Sequence, residues 1–262
     1  MKILGLSCFY HDAAAALVID GVLTAAAGEE RFTRIKHDPE LPRKAAAFCL
    51  KKAGLEIDDL DYIVFYDKPL NKLDRIITGY MATPFRSYQS FLQAIPVWSR
   101  RKLWTDHIIH KELGYNGEVL YLPHHLSHAA GAFYSSPFNK AAILTIDGVG
   151  EWANASFGIG ENNQVRLMAQ MNYPHSVGLL YSALTYYLGF RVNSAEYKIM
   201  GLAPYGTPRF VDLFEEKLVN IHEDGSIHLN LEYFSFHYGL TMTGTKLEKL
   251  PVSYTHLRAH ET

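Results

Sequence analysis

Residues 141–152 read Ala141-Ala142-Ile143-Leu144-Thr145-Ile146-Asp147-Gly148-Val149-Gly150-Glu151-Trp152, an apolar run that ends on a carboxylate and closely spaced glycines. The run predicts a buried strand over Ala142–Ile146, and the polar and small residues after it predict a turn over Asp147–Gly150. Strand-like stretches follow at Ala155–Ile159 and Val165–Met171, separated by the turn signal Glu161-Asn162-Asn163, and helical spacing covers about 176–188 and 208–220. The start of the chain has the same grammar. Lys2–Ser7 and Ala13–Ile19 read as strands, and Asp20-Gly21 as a tight turn into a third strand, Val22–Ala27. Pro42 and Gly54 bracket a helix over Pro42–Ala53, and the aromatic and β-branched stretch Tyr62–Tyr66 reads as a buried strand. Two strand–turn–strand meanders, each followed by helices, predict a duplicated α/β core. Between them, Leu70–Leu113 reads as helical pieces interrupted by Pro84 and Pro96, and Glu118–Leu122 as another strand. In each half the first turn, Ser7 to Ala15 and Asp147 to Glu151, gathers the polar and small residues that let a phosphate approach backbone N–H groups. Gly148 and Gly150 also fit the plainer role of hairpin glycines with positive φ.

Composition narrows the partners. The chain has 262 residues, 48% of them hydrophobic, enough for one large or two ordinary domains. A formal charge of -2 and no long lysine or arginine run leave no basic field for gripping a nucleic acid. No apolar stretch approaches the ~20 residues of a membrane helix, and the N-terminus turns polar at His11-Asp12 before a signal-peptide core is complete. With only Cys8 and Cys49, the expected setting is the reducing cytoplasm.

Histidines are concentrated at His124-His125-Leu126-Ser127-His128. A helix running from His124 to about Ser135 puts His124 and His128 on one face, with Cβ atoms roughly 5–6 Å apart, a separation that suits two ligands on one ion. Asp147, at a strand end, supplies a carboxylate to close the set. Two imidazoles and a carboxylate with open positions suit Fe(II) best, with Zn(II) and Mn(II) as competitors. An HxxxH pair taken alone also fits a structural or surface role.

Five ordered strings then converge: Gly5-Leu6 with His11-Asp12-Ala13-Ala14-Ala15-Ala16, Glu29-Glu30-Arg31-Phe32-Thr33-Arg34-Ile35-Lys36-His37, His124 to Ala130, Asp147 to Glu151, and Glu196-Tyr197-Lys198-Ile199-Met200-Gly201-Leu202-Ala203-Pro204-Tyr205-Gly206. Together they resemble the N-terminal part of the NodU/CmcH-type O-carbamoyltransferases, over about residues 1–250. The resemblance implies a Kae1-like, actin-like ATPase (ribonuclease H-like) α/β fold with an incomplete second lobe. It implies transfer of a carbamoyl group from carbamoyl phosphate, through a carbamoyl-adenylate made with ATP, to a hydroxyl of a sugar, antibiotic or nodulation-factor-like acceptor. In that family the adenylate is made in a C-terminal YrdC-like domain, which the resemblance leads one to expect outside this sequence. Carried over by motif, His11 is the general base, a task that imidazole chemistry suits at neutral pH. Asp12 orients it or contacts the acceptor, and Lys36 and His37 hold the anionic adenylate. Glu196 and Lys198 join the substrate site, and His124, His128 and Asp147 match the family's iron ligands, which a further aspartate from elsewhere completes.

Plainer alternatives stand beside these roles: a polar turn for His11-Asp12, a solvated basic face for Lys36, and a helical ion pair for Glu196 and Lys198. For the whole chain, the alternatives are a tRNA threonylcarbamoyl transferase-like protein and a non-catalytic nucleotide-binding module of the same fold. Residues 252–262 resemble a translated sequencing adapter, so the domain is expected to occupy 1–251 as a truncated piece.

Overall fold

The computed structural model describes residues 1–250, so the adapter-like stretch 252–262 lies outside the described residues. The described residues divide into two compact units, one made of Met1–Leu73 and Ala94–Ser127, the other of Asp74–Gln93 and residues 128–250.

The first unit is built on a five-stranded mixed sheet in the order β3-β2-β1-β4-β5. Its strands are β1 (Lys2–Ser7), β2 (Ala14–Ile19), β3 (Val22–Gly28), β4 (Tyr62–Phe65) and β5 (Glu118–Tyr121). The first three form the expected meander: Asp20 and Gly21 both take positive φ, 49° and 81°, as a two-residue hairpin of the primed type requires. β4 then pairs with β1, and β5 with β4, in parallel. A parallel step needs a crossover, and the one between β3 and β4 contains α1 (Glu30–Thr33) and α2 (Arg43–Ala53). Alternation along β1 sends Leu4 and Leu6 into a core shared with Leu17, Ile63 and Phe65 and with Ala45, Ala46 and Cys49 of α2. Full burial of each Leu or Ile contributes about 1.5–3 kcal/mol. Cys8 and Cys49 are buried as free thiols.

α2 lacks a side-chain cap from its own N-cap residue, Pro42. Glu29, 4% exposed, supplies one from the end of β3. Its carboxylate accepts the N–H of Lys44 at 3.1 Å and of Ala45 at 2.7 Å, placing a negative charge where the helix dipole favours it.

The remaining helices straddle or fill the middle of the chain: α3 (Pro69–Ala82), α4 (Pro84–Arg100), α5 (Thr105–Leu113) and α6 (His124–Tyr134). Pro84 starts α4, where its missing N–H costs nothing, but Pro96 does not interrupt the helix as its sequence suggests.

The second unit repeats the opening meander as an antiparallel sheet of β6 (Lys140–Ile146), β7 (Ala153–Glu161) and β8 (Gln164–Asn172). Asn162, at φ 53°, turns the chain between β7 and β8. A Cβ on Gly160 would lie 2.4 Å from the ring of Phe133, so the glycine makes room for α6 against the sheet, where Ala129, Phe133 and Ile143 form a small core. α7 (Val177–Tyr187) and α8 (Glu196–Leu202) follow. The helix expected over 208–220 is instead a short helical segment and a π-turn, ending at Leu218, before β9 (Val219–Ile221), which pairs with β10 (Ile227–Leu229). The physical reason is Asp224-Gly225, with Gly225 at φ 81°, which closes a hairpin that the helical pattern concealed.

A 3-2-1-4-5 sheet with antiparallel 1-2-3 and parallel 1-4-5, followed by a second 1-2-3 meander, is the actin-like, ribonuclease H-like α/β core. Among the described residues the second meander has no counterparts of β4 and β5, and none of their helices is long and apolar enough to cross a membrane.

Candidate functional site

α6 begins after Pro123, which fixes the entry to the helix, and presents His124 and His128 one turn apart. Asp147 follows the last residue of β6; its N–H donates to the carbonyl of Asn154 at 2.8 Å, closing the β6–β7 turn. Ligating atoms of His124, His128 and Asp147 all lie within 4.8 Å of one another, the one such group among the described residues. Within the triad the aspartate's oxygens are differentiated. Oδ1 accepts the N–H of Gly148 at 2.6 Å, while Oδ2 lies 3.9 Å from Nε2 of His128. His124 is buried against the ring of Tyr66 in an edge-on contact with centroids 5.5 Å apart, and Ser127 fixes the same turn by donating to the Tyr66 carbonyl at 2.9 Å. Burial first, then the neighbouring Asp67 carboxylate, pushes the Tyr66 phenol far above its ordinary range, so this wall stays neutral.

The turn carrying Asp147 is held from the other side by the start of α7. Ser176 caps α7 by accepting the N–H of Leu179 at 3.0 Å, and its hydroxyl lies 2.6 Å from the carbonyl of Gly148 and 3.2 Å from that of Asp147. Gly178 is what permits this approach: a Cβ there would meet the carbonyl oxygen of Asp147 at 2.4 Å. Gly148 and Gly150 do not take the positive φ that their sequence reading anticipated for hairpin glycines. Ser176 was legible only as a helix start, and Gly178 had no local signal, since its neighbour is remote in sequence.

A second cluster gathers residues from two of the strings. The loop after β1 and the loop after α1 are joined by backbone bonds, from Phe9 N–H to Pro39 O at 2.7 Å and from Ala13 N–H to Asp38 O at 2.8 Å. Asp12 lies between two imidazoles, with Oδ2 2.7 Å from Nδ1 of His11 and Oδ1 2.9 Å from Nδ1 of His37. Burial opposes ionisation of Asp12, but the hydrogen bonds from His37 and His11 outweigh it and hold the carboxyl below the ordinary carboxylate range. Glu30 fixes the far loop by accepting the N–H of His37 at 3.3 Å. Phe9, Asp12 and His37 all have positive φ, at 69°, 51° and 58°. Such backbone strain in non-glycine residues persists only where surrounding contacts hold it.

Lys36 and Lys198 are exposed, and neither forms an ion pair among the described residues. Glu196 therefore has no ion pair with Lys198. Its Oε1 accepts the N–H of Asn193 at 2.7 Å and lies 3.3 Å from the Ser182 hydroxyl. Burial opposes its ionisation, and these hydrogen bonds prevail, keeping the carboxyl below its ordinary range.

The family model for the carbamoyltransferase N-terminus matches residues 2–261. The chain belongs to this family. It is 48% identical over 256 residues to the uncharacterized protein sll1178 of Synechocystis, covering 95% of this chain and 42% of that protein. It is 39% identical over 215 residues to the nodulation protein NolNO of Sinorhizobium fredii, covering 79% of this chain and 30% of that one. The chain thus spans less than half the length of these two relatives. Among solved structures, YeaZ from Pseudomonas aeruginosa aligns with 66% of this chain and 67% of its own at 16% identity and a TM-score of 0.36, and the fold assignment rests on strand order instead.

Proposed function

We propose that this chain is the acceptor- and metal-handling part of an O-carbamoyltransferase. In this reading the full protein moves a carbamoyl group from carbamoyl phosphate, through a carbamoyl-adenylate made with ATP, onto a hydroxyl of a sugar, antibiotic or nodulation-factor-like acceptor, in the cytoplasm. The observation that carries the proposal is the His124–His128–Asp147 group, its ligating atoms within 4.8 Å, in a chain matched almost end to end by the carbamoyltransferase N-terminal family.

The donor set fits Fe(II), with Zn(II) and Mn(II) as competitors. When bound, such a cation supplies Lewis-acid polarisation of a carbonyl or phosphoryl oxygen without redox change. Asp147 is poised for the role because one of its oxygens is fixed by Gly148 while the other faces His128. His11, half exposed, takes the acceptor hydroxyl's proton. The hydroxyl oxygen then forms its bond to the carbamoyl carbon as the bond from that carbon to the adenylate phosphate oxygen breaks, and AMP leaves. Lys36 and Lys198, which have no ion-pair partner among the described residues, are cations suited to the anionic adenylate, and the Gly148–Gly150 turn and Glu196 shape the substrate side. Making the adenylate falls to a YrdC-like domain elsewhere in the full-length protein.

The test is to incubate the full-length protein with ATP, carbamoyl phosphate, Fe(II) and a panel of sugar and aminoglycoside acceptors, and to follow AMP release and acceptor mass. The expected result is an acceptor carrying one added carbamoyl group. His11→Ala should lower transfer by ~10²–10⁴-fold while pyrophosphate release from adenylate formation persists. Equal loss of both half-reactions, or no modified acceptor while adenylate accumulates, would contradict the proposal.

A further inference from the structure

We infer that His37 is a positioning residue: it holds Asp12 so that His11 presents Nε2, and no other ring nitrogen, as its basic atom. The inference rests on the proposed function only in calling His11 the base.

The argument starts from what a carboxylate can do. An ionised carboxylate has no proton to give, so each imidazole nitrogen hydrogen-bonded to Asp12 must carry one. Nδ1 of His11, at 2.7 Å from Oδ2, is therefore N–H, and so is Nδ1 of His37, at 2.9 Å from Oδ1. In a neutral imidazole the other nitrogen then carries the lone pair. For His11, that leaves Nε2 as the proton acceptor, with the carboxylate behind it to stabilise the imidazolium that forms, the logic of an aspartate-oriented histidine base.

The second oxygen of Asp12 is what makes His37 matter. Left to itself, a half-exposed carboxylate bonded to a single histidine rotates about its χ2, a broad torsion for aspartate, and trades His11 for water. His37 occupies Oδ1 and fixes that rotation. His37 is fixed in turn: its own N–H is accepted by Glu30, and its Nε2 is buried with no hydrogen-bond partner among the described residues. With Nδ1 committed to Asp12 and Nε2 buried, this ring has no polar atom left to grip a substrate. The left-handed backbone at Asp12 and His37 and the bonds joining the two loops act on the same contact, holding two residues 25 positions apart in register.

The test uses the full-length protein with ¹⁵N-labelled histidine, read by NMR for ring tautomers and by kinetics for transfer. In the wild type both His11 and His37 should be Nδ1–H tautomers when neutral. His37→Phe keeps the bulk and removes the donor. It should leave His11 as a mixture of tautomers and lower kcat for carbamoyl transfer by about 10–100-fold, with KM for the acceptor within about threefold, as expected for loss of one charge-assisted hydrogen bond that orients the base. His37→Asn, whose side-chain amide can replace the Nδ1–H donor, should restore much of the rate and the single tautomer, which a variant that had merely lost its fold could not do. An Nε2–H tautomer on either histidine in the wild type, or a His37→Phe protein with an unchanged His11 tautomer and rate, would overturn the inference. If the tautomers behave as described and no acceptor is carbamoylated, the positioning contact stands and the proposed function fails.

Discussion

Replacing Gly178 by alanine should damage the proposed metal site at His124, His128 and Asp147 without touching any of these three residues. The new Cβ would lie 2.4 Å from the Asp147 carbonyl oxygen, 2.6 Å from its carbonyl carbon and 2.7 Å from the Gly148 nitrogen. All three are backbone atoms, so no side chain can swing aside, and either the Asp147–Gly148 turn or the start of α7 must move. Overpacking of this kind costs about 1–3 kcal/mol. At about 3 °C per kcal/mol for a domain of roughly 250 residues, the melting transition of the domain that carries Gly178 should fall by about 3–9 °C. The movement is applied to the residue whose Oδ2 faces His128, and loss of an orienting contact typically weakens metal binding by about 10–100-fold. Gly148→Ala is the control: a Cβ there meets only Leu179 Cδ2, at 3.8 Å, and its φ is not positive, so the change should stay within about ±0.5 kcal/mol. The assay is a thermal melt and a metal titration of both variants of the full-length protein beside the wild type. Wild-type metal affinity in Gly178→Ala, or greater damage from Gly148→Ala, would refute the packing argument.

Glu29→Ala should destabilise by about 2–4 kcal/mol, because it removes a buried carboxylate and orphans two N–H groups at the start of α2; a chemical denaturation midpoint equal to wild type would contradict the capping role. Glu196 has a depressed folded pKa, so its contribution is present above the unfolded value and is lost as pH falls through the folded one. Glu196→Gln should therefore be less stable than wild type at pH 7, with the difference shrinking at acid pH, and a pH-independent difference in melting would exclude this linkage. His175 is held below its ordinary imidazole value by burial and by His228. The unfolded chain takes up its proton first, so stability should decline as pH drops through about 6.5, and less so in His175→Gln, as checked by melts from pH 8 to 5.

The parts of the fold written in local chemistry were legible in the sequence. Asp20-Gly21 announces the first hairpin and Gly54 the end of α2, and the i, i+4 histidines needed only a helix to converge. What escaped depends on segments remote in sequence. Glu29 and Lys36 belong to one string, yet Glu29 is buried and caps a helix that starts fourteen residues later, while Lys36 lies exposed in the loop after α1. His11 and Asp12 are neighbours, but the contact that completes them comes from His37, and nothing local marks Gly178 as the floor of the Asp147 turn. The stretch 208–220 was misread for a different reason: its apolar spacing fits a helix, while the strand pairing that decides its last residues lies beyond it, across Asp224-Gly225.

Metal content tests the central claim most directly. Full-length protein purified without chelators and reconstituted anaerobically with Fe(II) should retain about one metal per chain after desalting, and His128→Ala and Asp147→Ala should each lose at least about 10-fold in affinity with an unchanged circular dichroism spectrum. Wild-type protein that retains no Fe(II), Zn(II) or Mn(II), or variants that bind as tightly as wild type, would contradict it.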